Sequence, residues 1–472
     1  MTTTLIANGT VVSAEGAVAQ DVLIDGERIA ALLPSASSSS ASSATVVADR
    51  VIDAAGKYVI PGGVDVHTHM EVPFGVTFSS DTFASGTQAA AWGGTTTIVD
   101  FAVQRKGERV LEGLEAWHAK AAGQCAIDYG FHMIVGDVTD ESLSLLDRLA
   151  DEGITSVKLF MAYPGVYYSD DGEILRMMQT AAANGTMVMV HAENGPAIDV
   201  LVRQALERGD TSPINHGLTR PVALEEEATF RSIKLAEVAG CPVYVVHMSA
   251  GAAVARVAEA RSAGANVFGE TCPQYLYLTL EDHLGAPGFE GAKWACSTPL
   301  RSRHEHHQDD LWRALRLNDL QVVSTDHCPF CFKEQKELGI GDFSKIPNGI
   351  GTVEHRMDLL YQGVVDGHIS LPRWVDVACT TPARLFGLYP RKGTIAPGSD
   401  ADVVVYDPSA TTTLGGATHH MNIDHSAYEG IKIQGKVDTV LSRGQIVVES
   451  DQFVGSPTHG RYQPRTLSDL LL

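Results

Sequence analysis

Val64-Asp65-Val66-His67-Thr68-His69 ends a short apolar run with two histidines one residue apart. On a β-strand, positions i and i+2 point to the same face, so His67 and His69 offer two imidazole nitrogens to one metal ion. Alone the pair is a moderate signal, because two buried histidines satisfied by backbone carbonyls would leave the same trace. Four further apolar runs end in a potential ligand: Lys158 in SVKLF, His191 in TMVMVHAE, His247 in VYVVHMS and Asp326 in QVVSTDH. Six such residues at strand ends predict a metal site at the mouth of a barrel.

From residue 64 to 327, β-branched runs alternate with longer segments of helical spacing, such as 107–123, 139–151, 223–239 and 250–263. The runs are 64–69, 95–102, 125–135, 156–163, 186–193, 242–248, 265–272 and 321–327. Near-continuous apolar strands separated by helices imply a parallel sheet covered by helices. Eight such units over about 260 residues fit an α/β fold of the (β/α)₈ TIM-barrel type. A doubly wound open sheet would need a Gly-rich phosphate loop after its first strand, and none is present.

The flanks have a different character. Residues 1–59 and 394–455 contain short strands and turns, and neither segment alone is long enough to close a core. Pairing both chain ends into one small β-sandwich beside a 60–393 barrel solves the problem for both. The Ser/Ala stretch 35–43 reads as a solvated loop within the N-terminal part. The polar tail 456–472 is a candidate inter-subunit contact.

The formal charge of -22 argues against a nucleic-acid partner, since a phosphate backbone wants basic surface. No apolar run approaches the roughly 20 residues that span a bilayer. The first residues, Met1 to Ile6, lack the basic and apolar regions of a signal peptide, so a cytoplasmic address is expected. Seven scattered cysteines read as reduced thiols.

Lys158 is the most discriminating of the six. Val157, Leu159, Phe160 and Met161 surround it with apolar groups, so the amine is desolvated and its pKa depressed. The bland alternative is an edge lysine reaching out to water. A neutral amine can capture CO₂ as a carbamate, an anion with two oxygens able to bridge two metals. Asp326 follows a run suited to a buried strand, where an unpaired carboxylate would be costly and metal coordination relieves it.

VDVHTHMEVP, GGTTTIVDF, SVKLFMAYPGVYYSDDGEIL, VMVHAENG, YVVHMSA, ETCPQYLYL, STDHCPF and ARLFGLYPRKGTIAPGSDADVVVYDP together resemble the dihydropyrimidinase/D-hydantoinase family of cyclic amidohydrolases, over nearly the whole chain. The resemblance implies two divalent metal ions, usually zinc, with His67, His69 and Asp326 on one and His191 and His247 on the other. Lys158, carboxylated by CO₂, and a hydroxide would bridge them. Two cations about 3.5–4 Å apart acidify a shared water and polarise a carbonyl, which is a hydrolysis site. On this reading Asp326 carries the proton to the departing ring nitrogen, and Tyr163 donates to the developing oxyanion. Ser297 and Asn348 match positions whose backbone groups read the edges of the substrate ring.

The implied reaction opens 5,6-dihydropyrimidines or 5-substituted hydantoins to N-carbamoyl amino acids, in a homotetramer. Relatives that bind a substrate carboxylate carry an arginine two residues after the HxH pair. Here Glu71 stands there and would repel one. Apolar residues in 70–78 and 163–168 suit a hydantoin or dihydropyrimidine better than polar allantoin, which stays as the alternative substrate. A metal-free scaffold would lack several of the six positions, and a deaminase on the same barrel would dispense with the bridging lysine. His304 to His307 reads as a solvated helix start, Cys328-Pro329-Phe330-Cys331 as loop sequence without a second pair for zinc, and His132 as a core histidine.

Overall fold

The computed structural model describes residues 2–35 and 47–470. Its central sheet has eight parallel strands: β1 (Gly63–Thr68), β2 (Thr95–Val103), β3 (Asp128–Ile134), β4 (Ser156–Phe160), β5 (Met187–His191), β6 (Val243–Val245), β7 (Val267–Thr271) and β8 (Val322–Val323). Neighbours in sequence are neighbours in the sheet, and a bridge between Thr68 and His327 brings the last strand back to the first. Each strand is buried along its length, as both faces are covered. The fold is therefore the (β/α)₈ barrel expected from the alternation of patterns.

The helix Asp171–Asn184 shows how local sequence sets the outer layer. Asp170 accepts the Glu173 amide and Glu173 returns the bond in a capping box, while Gly185, at φ 81°, ends the helix in the left-handed region. Ile174, Met177, Met178 and Ala181 recur at helical spacing and are buried. Each of the larger ones contributes about 1.5–3 kcal/mol by leaving water. Asp170→Ala alone would cost about 1 kcal/mol of that helix.

The chain ends form one mixed ten-stranded sheet. The seam is Tyr58–Pro61, which pairs antiparallel with the start of Val403–Thr413. Ile6, Val22, Ile24 and Ile29 from the N-terminal side share a core cluster with Val403, Val405 and Leu441 from the C-terminal side. Neither end could bury those residues alone. The Ser/Ala stretch read as a loop lies, beyond Ser35, outside the described residues.

Beneath the barrel, Lys392 donates to Asp128 at 2.6 Å, Asp400 at 2.9 Å and Asp402 at 2.7 Å. Lys392 and the three carboxylates are buried, joining β3 to the segment that leads into the terminal sheet. The tail, described through Leu470, docks on the barrel of its own chain: Tyr129 donates to the Arg461 carbonyl, and Gln463 donates to the Tyr129 carbonyl. No helix among the described residues is long and apolar enough to cross a membrane.

β8 is shorter than the 321–327 run predicts. Past Val323 the chain leaves regular pairing: Thr325 donates to Asp65, and Asp326 turns to φ 50°. That distortion aims the Asp326 side chain at the mouth. Pairing geometry yields there to the site.

Candidate metal centre

The six candidate ligands meet at the C-terminal mouth of the barrel. His67 Nε2 lies 3.2 Å from His69 Nε2, 3.1 Å from Asp326 Oδ1 and 2.9 Å from Lys158 Nζ. His69 Nε2 is 3.2 Å from the same Asp326 oxygen. His191 Nδ1 and His247 Nε2 face each other at 2.9 Å, and the His67 and His247 rings lie 5.4 Å apart. Three of these atoms, from His67, His69 and Asp326, sit close enough together to share one ion.

All six side chains are nearly or fully buried. Burial holds His69 neutral by pushing it down to about 3, and drives His247 well below its ordinary value, with the neighbouring His191 adding to the effect. Neutral imidazoles are what a cation requires. For Asp326 burial opposes ionisation, but His67 and His69 outweigh it and hold the carboxyl well below the carboxylate range. For His67, burial and Lys158 oppose protonation, yet Glu270 and Asp326 prevail and raise it. The centre thus favours positive charge at its middle. Nitrogen and oxygen donors converging on one point, with an ionised carboxylate among them, fit a divalent transition metal.

Lys158 sits in β4 with its Nζ 4.3 Å from the Phe101 ring centroid and 5.0 Å from that of Phe160. Burial pushes it down to about 8, against the pull of Asp326 and Glu270. A cavity of about 640 Å³ opens above the centre. Lys158, Tyr163, His191, His247, Ser297, Asp326 and Asn348 all contribute to its wall, so every substrate-contact candidate from the sequence faces it. Burial pushes the Tyr163 hydroxyl up to about 12, with Glu193 adding to it and polar contacts to Ser297 and Asn348 opposing, so it stays a donor. Val72, Phe74, Val166 and Tyr167 supply the apolar wall expected from the 70–78 and 163–168 loops.

Tyr163 (φ 61°), His247 (φ 39°) and Asp326 (φ 50°) all occupy the left-handed backbone region. Such strain costs of order 1–3 kcal/mol per residue and gathers where surroundings dictate it, commonly at functional sites.

Residues that sequence reasoning missed form the shell around the ligands. Glu270 ends the β7 region, pairs with His67 Nδ1, and accepts from Tyr244 (2.8 Å), Ser324 (2.6 Å) and the His247 amide (3.1 Å). Glu193 accepts His191 Nε2 at 2.9 Å. Asp100 on β2 accepts from Thr68 (2.7 Å), the Met70 amide (2.9 Å) and Trp117 (3.0 Å), fixing the loop after the HxH pair. Glu270 and Asp100 carried a visible signal, since each is a carboxylate in an apolar strand with no partner nearby in sequence.

Two readings need correction. Glu71 does not line the cavity; its carboxylate accepts the Phe83 amide at 3.5 Å and its carbonyl accepts Lys120. Repulsion of a substrate carboxylate by Glu71 therefore has no structural basis. The 304–307 stretch is only partly solvated, because His307 turns inward and accepts the Gly251 amide at 3.1 Å. His132 is a buried histidine whose Nε2 meets the Val66 carbonyl at 2.9 Å. Cys328 and Cys331 are free thiols. A second acidic cluster, Asp128, Asp400 and Asp402, already surrounds the Lys392 ammonium.

Residues 58–447 match the amidohydrolase family. The chain belongs to that family. It is 62% identical over 468 residues to a D-hydantoinase of Streptomyces coelicolor, covering 99% of each protein. It is 50% identical to a D-hydantoinase of Geobacillus stearothermophilus, over 98% of this chain and 96% of that one. Its structure is similar to the crystal structure of dihydropyrimidinase from Brevibacillus agri, with a TM-score of 0.95, 49% identity and 99% of each chain covered. The amidohydrolase thus sits within the dihydropyrimidinase/D-hydantoinase branch. The family is metal-dependent, in keeping with the donor set at the barrel mouth.

Proposed function

We propose that this amidohydrolase hydrolyses the cyclic amide bond of D-5-substituted hydantoins and of 5,6-dihydropyrimidines, giving N-carbamoyl amino acids. The observation that carries the proposal is the convergence of His67, His69, Lys158, His191, His247 and Asp326 beneath a cavity walled by Tyr163, Ser297 and Asn348. Full-length identity to D-hydantoinases supports the ring and its configuration.

His67, His69 and Asp326 would hold one divalent ion, and His191 and His247 a second, with zinc the proposed metal for this N/O donor set. Bound there, the metal supplies Lewis-acid polarisation and acidifies water. Lys158 is the proposed shared ligand. Its neutral amine forms a C–N bond to CO₂ and releases one proton to solvent, leaving a carbamate. Asp326 accepts a proton from the attacking water and delivers it to the ring nitrogen as the amide C–N bond breaks. Tyr163, kept protonated by burial, donates to the oxygen on which negative charge develops. The backbone at Ser297 and Asn348 holds the ring edges. Phe74, Val166 and Tyr167 take the 5-substituent. A cytoplasmic homotetramer is the proposed state, on the family resemblance.

A kinetic panel of dihydrouracil, hydantoin, D- and L-5-phenylhydantoin and allantoin tests this directly. Ring opening of the hydantoins and dihydrouracil, lost on chelation and regained with zinc, is the expected result. Turnover confined to allantoin, or activity indifferent to chelators, would overturn it.

A further inference from the structure

Lys336 is fully buried, yet among the described residues no carboxylate is bonded to it. Its three N–H bonds go to backbone carbonyls: Ala295 at 2.9 Å, Pro347 at 2.6 Å and Gly349 at 2.9 Å. Its own amide donates to the Cys331 carbonyl, and the ammonium lies 5.7 Å from the Phe330 ring centroid. Burying a cation against carbonyl dipoles alone is expensive, and a hydrophobic residue would fill the space more cheaply. Burial accordingly pushes the ammonium down to about 7. A costly group without a counter-ion calls for a positional explanation.

The three acceptors supply one. Ala295 stands two residues before Ser297, and Pro347 and Gly349 flank Asn348. The Gly349 amide also donates to the Ala295 carbonyl at 2.9 Å, so that oxygen takes bonds from both sides of the junction. Gly349 packs so closely that a β-carbon there would lie 2.0 Å from the Cys328 carbonyl oxygen. On the far side, Thr298 donates to the His247 carbonyl at 3.0 Å. Two loops from separate parts of the chain are thus clamped into one wall of the cavity, and Lys336 is the clamp.

We propose that Lys336 is a positioning residue for substrate recognition, its ammonium fixing the Ser297 and Asn348 segments at the separation that the polar edge of the cyclic substrate requires. This rests on the ring-hydrolysis reading above. Lysine suits the task because three N–H donors diverge from one tetrahedral nitrogen, one for each of the three carbonyls.

Lys336→Met, with no donor, and Lys336→Gln, with two, test it in the full-length metal-loaded enzyme with hydantoin and dihydrouracil. The expected result is a KM rise of about tenfold or more for Met and a smaller rise for Gln, because a wall that binds ground and transition states alike is loosened. Metal content per chain stays at the wild-type value, and kcat stays within about threefold. Unchanged KM with a lower kcat, or loss of metal, would assign Lys336 to fold maintenance and overturn the proposal. Failure of both variants to fold would do the same. A wild-type enzyme that opens neither ring would instead overturn the functional reading, and this inference with it.

Discussion

Glu270 grips the Nδ1 of His67 from behind, while His67 Nε2 faces Asp326 and Lys158 at the centre of the site. Both residues are fully buried. The carboxylate fixes the ring's tautomer and orientation, so the nitrogen presented to the metal is already aimed. Glu270→Gln keeps the shape and loses the charge. We expect metal affinity to fall about 10- to 100-fold, measured by competition with a chelator, with secondary structure unchanged. An unaltered metal affinity would remove Glu270 from this role.

The depressed Lys158 carries a pH prediction. With its pKa at about 8, the amine form rises from about a tenth at pH 7 to about nine tenths at pH 9. Only the amine combines with CO₂. Reactivation of metal-stripped enzyme by CO₂ and divalent metal, at fixed dissolved CO₂, should therefore quicken by about tenfold over that interval. An ordinary lysine near 10.4 would still be climbing steeply above pH 9. A flat profile would argue against carboxylation. Lys158→Ala should be inactive and regain some activity with added short carboxylic acids.

Much of this site was legible because barrel chemistry sits at strand ends, and strand ends are visible as the last residues of apolar runs. His67, His191 and Lys158 were found that way. The shell behind them was not, because Glu270 and Asp100 find their partners across strands: Glu270 meets His67 203 residues away in sequence. Spacing rules describe one strand at a time and carry no such pairing. The left-handed backbone at Tyr163, His247 and Asp326 was equally hidden, since none of these residue types announces a positive φ. Glu71 failed for the opposite reason. Proximity to the HxH pair suggested the pocket, but at φ 53° the chain turns there, and the side chain meets the Phe83 amide instead.

Tyr163 offers a direct test of transition-state stabilisation. Its side chain is half-buried at the cavity wall and its hydroxyl stays protonated, with its ring 5.4 Å from that of His191. Tyr163→Phe removes one donor and leaves the packing. Loss of a single oxyanion donor costs about 10²–10³ in kcat, and that range is expected here with a much smaller change in KM. Equal kcat for the two proteins would leave Tyr163 as a packing residue.

Lys392 predicts the largest stability effect outside the site. Its ammonium is the shared partner of Asp128, Asp400 and Asp402, and Arg443 reaches Asp128 only at 3.2 Å. Burial opposes its charge, but the three carboxylates prevail and raise its pKa above the ordinary lysine value. A raised folded-state pKa means that the contribution is fully present below the unfolded value, near 10.4, and fades only as pH climbs through the folded one. Lys392→Met should thus destabilise the fold by roughly 3–5 kcal/mol at neutral pH, because three buried carboxylates lose the cation they share, and only Arg28, 2.7 Å from Asp400, and Arg443, 3.2 Å from Asp128, remain beside them. The measurement is the denaturant midpoint, read alongside metal content. Since the cluster ties β3 to the chain leading into the terminal sheet and lies beneath the barrel, activity per folded molecule should be preserved. A variant as stable as the wild type would show that the carboxylates take up protons at little cost, and the clamp would be dispensable.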